Sequence, residues 1–430
     1  MSPISTHQAS DQEAWCLDQW LIYLEQIHPS NIELGLERVA KVFAKLQLDL
    51  SQRVIVTVAG TNGKGTTCAL IEQAVLTSQQ SVAVFSSPHL LDYRERVRVA
   101  GAMLPEKAHC QAFLKIEQAR GDISLTYFEF GTLAALQLMA DSNAKYLILE
   151  VGLGGRLDAI NIIDPNIAVI TSIDLDHQDW LGNTRELIAI EKAGIFRANI
   201  PAVIGEPNPP STLLEATLKY QVTPLWQGKD FYFQTDAKGF HWQGANCRFD
   251  SLPLPHIPAQ NASTALQVIE ILDLQLDNTL MAQVFEQTSL PGRRQIIQNS
   301  PKVILDVAHN PQATRLLASD IKNMQYRSVI GVVAMLADKD IHATLAPMLP
   351  IVSTWYCASL DVPRGAKAST LVAAVLPSGQ KVLDYDSVEI AYTSALEKAD
   401  KEDLVIVFGS FFTVTNVLKM GLLPPNEKVS

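Results

Sequence analysis

The sequence predicts an α/β protein of two domains, each built on a mostly parallel sheet with helices on both faces. Apolar runs of strand length alternate with longer helical patterns through most of the chain. These runs are continuous rather than alternating, as expected of central strands buried on both faces. The 430 residues exceed what one core usually serves. Pro-Gly punctuation in TSLPGRRQ, residues 288–295, separates two series of strand and helix units.

In chain order, VIVTVA (54–59), VAVFSS (82–87), YLILEV (146–151) and IAVITSI (167–173) are the expected strands of the first domain, placed at 1–296. Between about 206 and 258 the texture changes to EPNPP, an aromatic cluster from Trp226 to Trp242, and SLPLPHIPAQ. This predicts an irregular, partly antiparallel extension of the first domain. A helix rich in alanine and leucine is expected from about Ser263. After the connector, VILDVAHN, VIGVVAM, TWYCAS and LVIVFGS form the strand series of a second α/β domain, placed at 297–430.

Composition excludes several classes. Hydrophobic residues make up 47% and charged residues 18%, which fits a globular enzyme and not a disordered or fibrous chain. A net charge of -11 argues against a dedicated nucleic-acid binder, because neutralising phosphates needs clustered Lys and Arg. The stretch MSPISTHQASDQEAW lacks the basic region and apolar core of a secretory signal, and no apolar run approaches a membrane span. A cytoplasmic protein without a membrane or nucleic-acid partner is expected. Five cysteines lie scattered without a C-x-x-C pair, which suits reduced thiols used as small apolar filler.

The first site is AGTNGKGTTCAL, residues 59–70, where a strand, a glycine-rich turn and a helix follow one another. That order gathers backbone N–H groups and the positive end of a helix around one point, which suits a polyphosphate. Lys64 adds a point charge near the outer phosphates. Against the pattern G-x-x-x-x-G-K-[ST], Gly63 is in place, Val58 stands where the first glycine belongs, and Gly65 replaces the hydroxyl residue, with Thr66 and Thr67 displaced. The loop is therefore a variant; the alternative is a turn that only reverses the chain.

Ligands of an open parallel sheet bind outside the carboxyl ends of its strands. VAVFSS ends at Ser86 and Ser87, YLILE at Glu150, and IAVITSI leads into DLDHQDW with His177. A hydroxyl, a carboxylate and an imidazole thus converge on one edge and could serve a metal, the histidine being the weakest candidate because magnesium prefers oxygen. Each also has a structural reading: Ser87 as a helix cap, Glu150 as a surface turn carboxylate, His177 as a satisfied loop histidine. In NTRELIAIEKAGIF, Asn183 and Glu186 have the spacing of an N-cap and its N3 partner. No acid precedes Lys192 by four residues, so helix spacing alone predicts a solvated lysine.

Taken together these segments resemble the Mur ligase superfamily and, within it, the folylpolyglutamate synthase family. The resemblance runs through LGLERV (34–39), AGTNGKGTT (59–67), FSSPHL (85–90), YRERVRV (93–99), LTYFEFGT (125–132), LEVGLGGRLDAIN (149–161), DHQDWLG (176–182), EKAGIF (191–196), LPGR (290–293), DVAHNP (306–311) and FGSFFTV (408–414). It implies a central parallel-sheet ATPase domain of the Mur type with a small antiparallel extension, followed by a Rossmann-like α/β domain. The implied activity is an ATP-dependent amide ligase that joins L-glutamate to a pterin-linked carboxylate through an acyl phosphate. The TYFE segment looks like that of family members accepting dihydropteroate as well as tetrahydrofolates.

The resemblance makes Gly60, Thr61, Asn62, Gly63, Lys64, Gly65, Thr66 and Thr67 the ATP cradle. It makes Ser87, Glu150 and His177 ligands of magnesium, with two ions and a monovalent cation such as K+ implied, and Lys192 a carbamylated lysine bearing a ligand oxygen. Asn261, Arg293 and Asp306 match nucleotide contacts, and His309 with Ser410 to Phe412 the glutamate end. Ile32, Glu33, Leu34, Gly35, Thr126, Tyr127, Phe128, Glu129, Leu157, Asp158 and Ala159 match the pterin site. One departure is Arg294, where relatives carry an aromatic residue. A monomer is expected, with closure about Leu290–Arg293 before chemistry. The competing readings are a family member without dihydropteroate activity, a cell-wall Mur ligase, for which too little chain precedes the loop, and a P-loop ATPase or nucleotide-binding module.

Overall fold

The computed structural model describes residues 12–28, 30 and 32–422. The N-terminal stretch assessed above for a secretory signal lies, up to residue 11, outside them. The described residues form two compact units: one running up to Ile173 with His177–Pro255 and Ala259–Thr288, the other running from Ser289 with Asp174–Asp176 and His256–Pro258.

The first unit is built on eight strands: β1 (Val54–Ala59), β2 (Val82–Phe85), β3 (Val97–Val99), β4 (Ala102–Met103), β5 (Tyr146–Glu150), β6 (Ile167–Ile170), β7 (Pro201–Ile204) and β8 (Thr223–Trp226). Their order is β4-β3-β2-β5-β1-β6-β7-β8. β1 lies at the centre, parallel to β5 and β6, and β2 is parallel to β5, while β3 runs antiparallel along β2. The four strands expected from continuous apolar runs are the four central ones, and β2, β5 and β6 are buried throughout. β7 and β8 were not expected; each carries a proline, Pro201 as first residue and Pro224 in the outermost strand, positions where a missing N–H is tolerated.

Three antiparallel strands follow: β9 (Tyr232–Asp236), β10 (Gly239–Gln243) and β11 (Arg248–Leu252), with β10 in the middle. β10 alternates, burying Phe240 and Trp242. The helix expected from Ser263 begins at Ala259 and packs on the helix Lys64–Thr77, so its first turn brings in Asn261.

The second unit has its own six-stranded sheet: β12 (Gln295–Asn299), β13 (Lys302–Leu305), β14 (Val329–Val333), β15 (Thr354–Ala358), β16 (Lys381–Tyr385) and β17 (Leu404–Phe408), in the order β12-β13-β17-β14-β15-β16. All neighbours are parallel except β12 and β13. The four expected strands are again the inner ones. β12 and β16 lie at the edges, half exposed, and their mixed sequences QIIQN and KVLDY lack a continuous apolar run.

Among the described residues no helix is long and apolar enough to cross a membrane, and all five cysteines are free thiols.

Candidate active site

The phosphate loop leaves the carboxyl end of β1, and the end of β6 braces it. Thr61 donates its N–H to Ser172 O at 2.8 Å, Asn62 its N–H to Ser172 Oγ at 3.1 Å, and Thr171 Oγ1 donates to Asn62 O at 2.6 Å. Gly63, at φ +86°, turns the chain into the helix Lys64–Thr77. A Cβ there would lie 2.5 Å from the Asn261 amide, whose Nδ2 donates to Thr66 Oγ1 at 2.9 Å. Asn261 and the loop are thus one assembly. Lys64 Nζ folds back onto Gly60 O at 3.0 Å and Thr61 O at 3.4 Å, which holds the ammonium over the turn.

One strand further along, Glu150 closes β5 opposite Val58, 5% exposed, and its Oε2 accepts the Ser87 N–H at 3.2 Å. Ser87 and Glu150 are therefore adjacent, and the carboxylate is buried instead of lying in a surface turn. Arg98 on β3 stabilises this edge: it pairs with buried Glu72 on the phosphate-loop helix (2.6 Å) and donates to Ser86 Oγ at 3.2 Å. No spacing rule points to Arg98. His177, exposed and at φ +50°, precedes the short helix Gln178–Leu181.

The expectation of a solvated Lys192 is overturned, since the residue is 3% exposed. The loop after β5 covers it: Arg156 donates its N–H to Glu191 O at 2.7 Å, and a Cβ at Gly155 would lie 2.8 and 2.9 Å from the carbonyls of Glu191 and Lys192. Helix spacing describes only neighbours on the same helix and cannot reveal such a cover. The cap is also corrected: the helix is Arg185–Ala193 and its N-cap is Thr184, whose Oγ1 accepts the Leu187 N–H, not Asn183.

Thr126 caps the helix Tyr127–Ala140 in a reciprocal box with Glu129, and Arg38 takes the other Glu129 oxygen at 2.9 Å. Glu129 thereby has a structural task beyond any contact with a ligand. Phe128 lies 6.1 Å from Phe85, and Tyr127 lies beside Tyr93. In the loop before the helix Glu37–Leu46, Glu33 pairs with Arg38 and with His28 Nε2, and Ile32, Leu34 and Gly35 are half-buried. Asp158, between half-buried Leu157 and buried Ala159, accepts the N–H groups of Leu153 and Ile160 at 2.8 and 3.0 Å. Burial pushes its carboxyl up to about 6, against the downward pull of those bonds and of the Lys64 charge.

In the second unit Asp306 follows β13 and accepts from Arg294 N at 2.9 Å and Ala308 N at 2.8 Å. The Arg293 guanidinium lies over the Phe411 ring at 4.8 Å, and the His309 ring, with Nδ1 on Val307 O, lies 6.1 Å from the same ring. Ser410 Oγ accepts the Thr413 N–H at the start of the helix Phe411–Leu422, and Phe412 is 43% exposed. The unusual Arg294 forms an ion pair with Asp320.

Two domain models match the chain: the Mur ligase middle domain over residues 58–219 and the Mur ligase glutamate ligase domain over 292–411. The chain is 46% identical over 410 residues to the dihydrofolate synthase/folylpolyglutamate synthase of Escherichia coli K12, covering 95% of this chain and 96% of that one. The chain belongs to the dihydrofolate synthase/folylpolyglutamate synthase family of Mur ligases. A structure of E. coli FolC in complex with DHPP and ADP superposes with a TM-score of 0.92 at 46% identity, covering 95% of this chain and 98% of that one. A Yersinia pestis bifunctional folylpolyglutamate synthase/dihydrofolate synthase with Mn, AMPPNP and L-glutamate bound gives 0.90 at 46% identity, over 96% and 99%.

Membership of the dihydrofolate synthase/folylpolyglutamate synthase family makes the chain an ATP-dependent ligase and sets aside the P-loop ATPase reading. The structure also holds contacts that residue spacing missed. Besides Arg98, the second unit contains a buried ion pair between Asp176 and Lys339 at 2.5 Å, with Asn310 Nδ2 donating to Asp176 at 3.1 Å. In sequence, Lys339 is one of several charges in ADKD and carries no distinguishing signal.

Proposed function

We propose that this enzyme joins L-glutamate to dihydropteroate, giving dihydrofolate, and to tetrahydrofolates, giving their polyglutamates. The observation that carries this reading is the phosphate loop set one strand from buried Glu150 and the Ser87 bonded to it, in a chain 46% identical to a bifunctional relative along nearly its whole length. A carboxylate resists attack because its charge is delocalised. In the first step its oxygen bonds to the γ-phosphorus of ATP and ADP departs, leaving an acyl phosphate. In the second the glutamate amine adds to the carbonyl, phosphate leaves and a proton is lost.

The chain's own groups supply position and charge for these steps. Gly60–Thr67 and Lys64 hold the phosphates, with Asn261, Arg293 and Asp306 assigned to the nucleotide and His309 with Ser410–Phe412 to the glutamate. The oxygen donors of Ser87 and Glu150 fit a magnesium ion, as does a buried lysine converted by carbon dioxide to a carbamate; His177 completes the set. Bound there, magnesium would neutralise phosphate charge. Two ions, an auxiliary monovalent cation, a monomeric state and a cytoplasmic location are part of the same reading and rest on resemblance. The pterin is assigned to Ile32–Gly35, Thr126–Glu129 and Leu157–Ala159.

Incubation with ATP, each acceptor, and glutamate present or absent tests the proposal. Amide product with both dihydropteroate and tetrahydrofolate is expected. Phosphate release that ignores glutamate and yields no amide would overturn the ligase reading, and coupling to tetrahydrofolate alone would leave a monofunctional enzyme.

A further inference from the structure

Among the described residues, Arg96 is a buried cation with no carboxylate paired to it. It ends the 3-10 turn Tyr93–Arg96 and is 9% exposed. Its Nε donates to His89 Nδ1 at 2.9 Å, and its guanidinium carbon lies 5.4 Å from the ring centres of both Tyr93 and Tyr127. His89 accepts that bond through its ring nitrogen and brings no negative charge to the guanidinium. Among the described residues no acid forms an ion pair with Arg96, and neither terminal nitrogen has a hydrogen-bond partner.

The neighbouring acids are committed elsewhere. Asp92 is held by Arg94, Glu95 accepts the N–H groups of Leu90, Leu91 and Asp92 at 2.8 Å, and Glu129 serves Thr126 and Arg38. Arg98, two residues along, has Glu72 as its counterion. Burying an ion without an opposite charge is unfavourable, and two aromatic faces offset only part of that cost. Two free, coplanar N–H pairs in an aromatic notch are suited to an incoming carboxylate.

The position fits. Arg96 O accepts the Ser86 N–H at 2.9 Å, one residue before the Ser87 that contacts Glu150, and Tyr127 opens the helix whose first turn is assigned to the pterin. Arg96 therefore lies between the segment assigned to metal and phosphate and the segment assigned to the acceptor. We propose that the Arg96 terminal nitrogens bind the carboxylate of the pterin acceptor, making Arg96 the residue that distinguishes a free acid from a neutral analogue. This rests on the acceptor reading given above.

The test is equilibrium binding of pteroate and of pteroate methyl ester to the full chain, with magnesium and a non-hydrolysable ATP analogue present. The parent protein should bind the acid about tenfold or more tightly than the ester, the range of a charge-assisted hydrogen-bond pair. Arg96→Met should bind both alike, with its ester affinity close to the parent's, and Arg96→Lys, which keeps the charge in the notch, should fall between. A parent protein that does not distinguish acid from ester overturns the proposal, as does Arg96→Met retaining the preference or losing acid and ester equally. If Arg96→Met does not fold, an Arg96→Lys variant with the parent's full preference overturns it as well. A parent that binds neither compound sinks the acceptor reading instead, so the two failures are distinct.

Discussion

The strand ends of β1, β2 and β5 and the three-stranded sheet β9–β11 both belong to the first unit, yet they treat polar residues in opposite ways. At the strand ends, Glu150, Thr66 and Lys192 are buried, and the loop around them is held by bonds of 2.6–3.1 Å from Thr171, Ser172 and Asn261. In the antiparallel sheet, Asp236, His241, Arg248 and Asp250 form a chain of contacts of 2.7–3.2 Å with side chains 21–65% exposed. Exposed pairs contribute little, because water and salt screen them and ordering the side chains costs entropy. Buried polar groups are kept only when something binds them. The difference teaches where to look for chemistry: among polar groups whose burial is enforced by backbone contacts, and not among the most numerous ion pairs.

The largest expected effect tests the strand-end side of that comparison. Lys64→Ala should lower turnover by roughly 10³-fold or more, the scale for losing a charge aimed at a transferring phosphoryl group, while the unfolding transition stays close to the parent's. Steady-state phosphate release with circular dichroism measures both. Near-normal turnover would mean that the loop is only a turn. Gly63→Ala should act next most strongly and through the backbone. It places a Cβ 2.5 Å from the Asn261 amide at a φ that favours glycine, at a cost of about 1–3 kcal/mol by analogy with other strained positions. Denaturant unfolding should show the loss, and Asn261→Ala in the same chain should restore part of it by removing the clash.

How much of this was legible depends on burial. Strands buried on both faces advertise themselves as continuous apolar runs, so the inner strands of both sheets could be read from VIVTVA, YLILE or LVIVF. Edge strands such as β8, β12 and β16 bury one side or neither, and their mixed or proline-bearing sequences conceal them. Around the candidate site, the strand–turn–helix of the loop and the place of Glu150 at the end of β5 were legible because their signals are local. The burial of Lys192 was not, because the residues that cover it come from a loop some 35 positions earlier, where Arg156 meets Glu191. Arg98 and Arg96 carry no signal of their own; only folding shows that one has a counterion and the other does not.

A smaller effect sharpens the account of the Lys192 helix. Thr184→Ala should cost about 1 kcal/mol, the usual loss for a side-chain N-cap, whereas Asn183→Ala should leave the unfolding midpoint nearly unchanged. Equal effects at the two positions, measured by chemical denaturation, would remove the distinction that the Thr184 bond to Leu187 draws.

The smallest effect tests the exposed side of the comparison. The pKa of His241 is raised first by its hydrogen bond to Asp250 and then by that to Asp236, while those two carboxyls lie below their usual range. A raised folded-state pKa means that the protonated histidine is favoured by folding. Its contribution is therefore fully present below the ordinary imidazole value, about 6.5, and disappears as pH rises through the folded-state value above it. His241→Gln should accordingly melt slightly below the parent on the acid side of that window and match it on the alkaline side. Because all three groups are solvent-facing, the acid-side gap should shrink further in about 1 M salt, where screening acts within a few ångströms. A gap that persists unchanged in alkali and in salt would mean that His241 acts through packing, and that charge alone does not separate the antiparallel sheet from the strand ends.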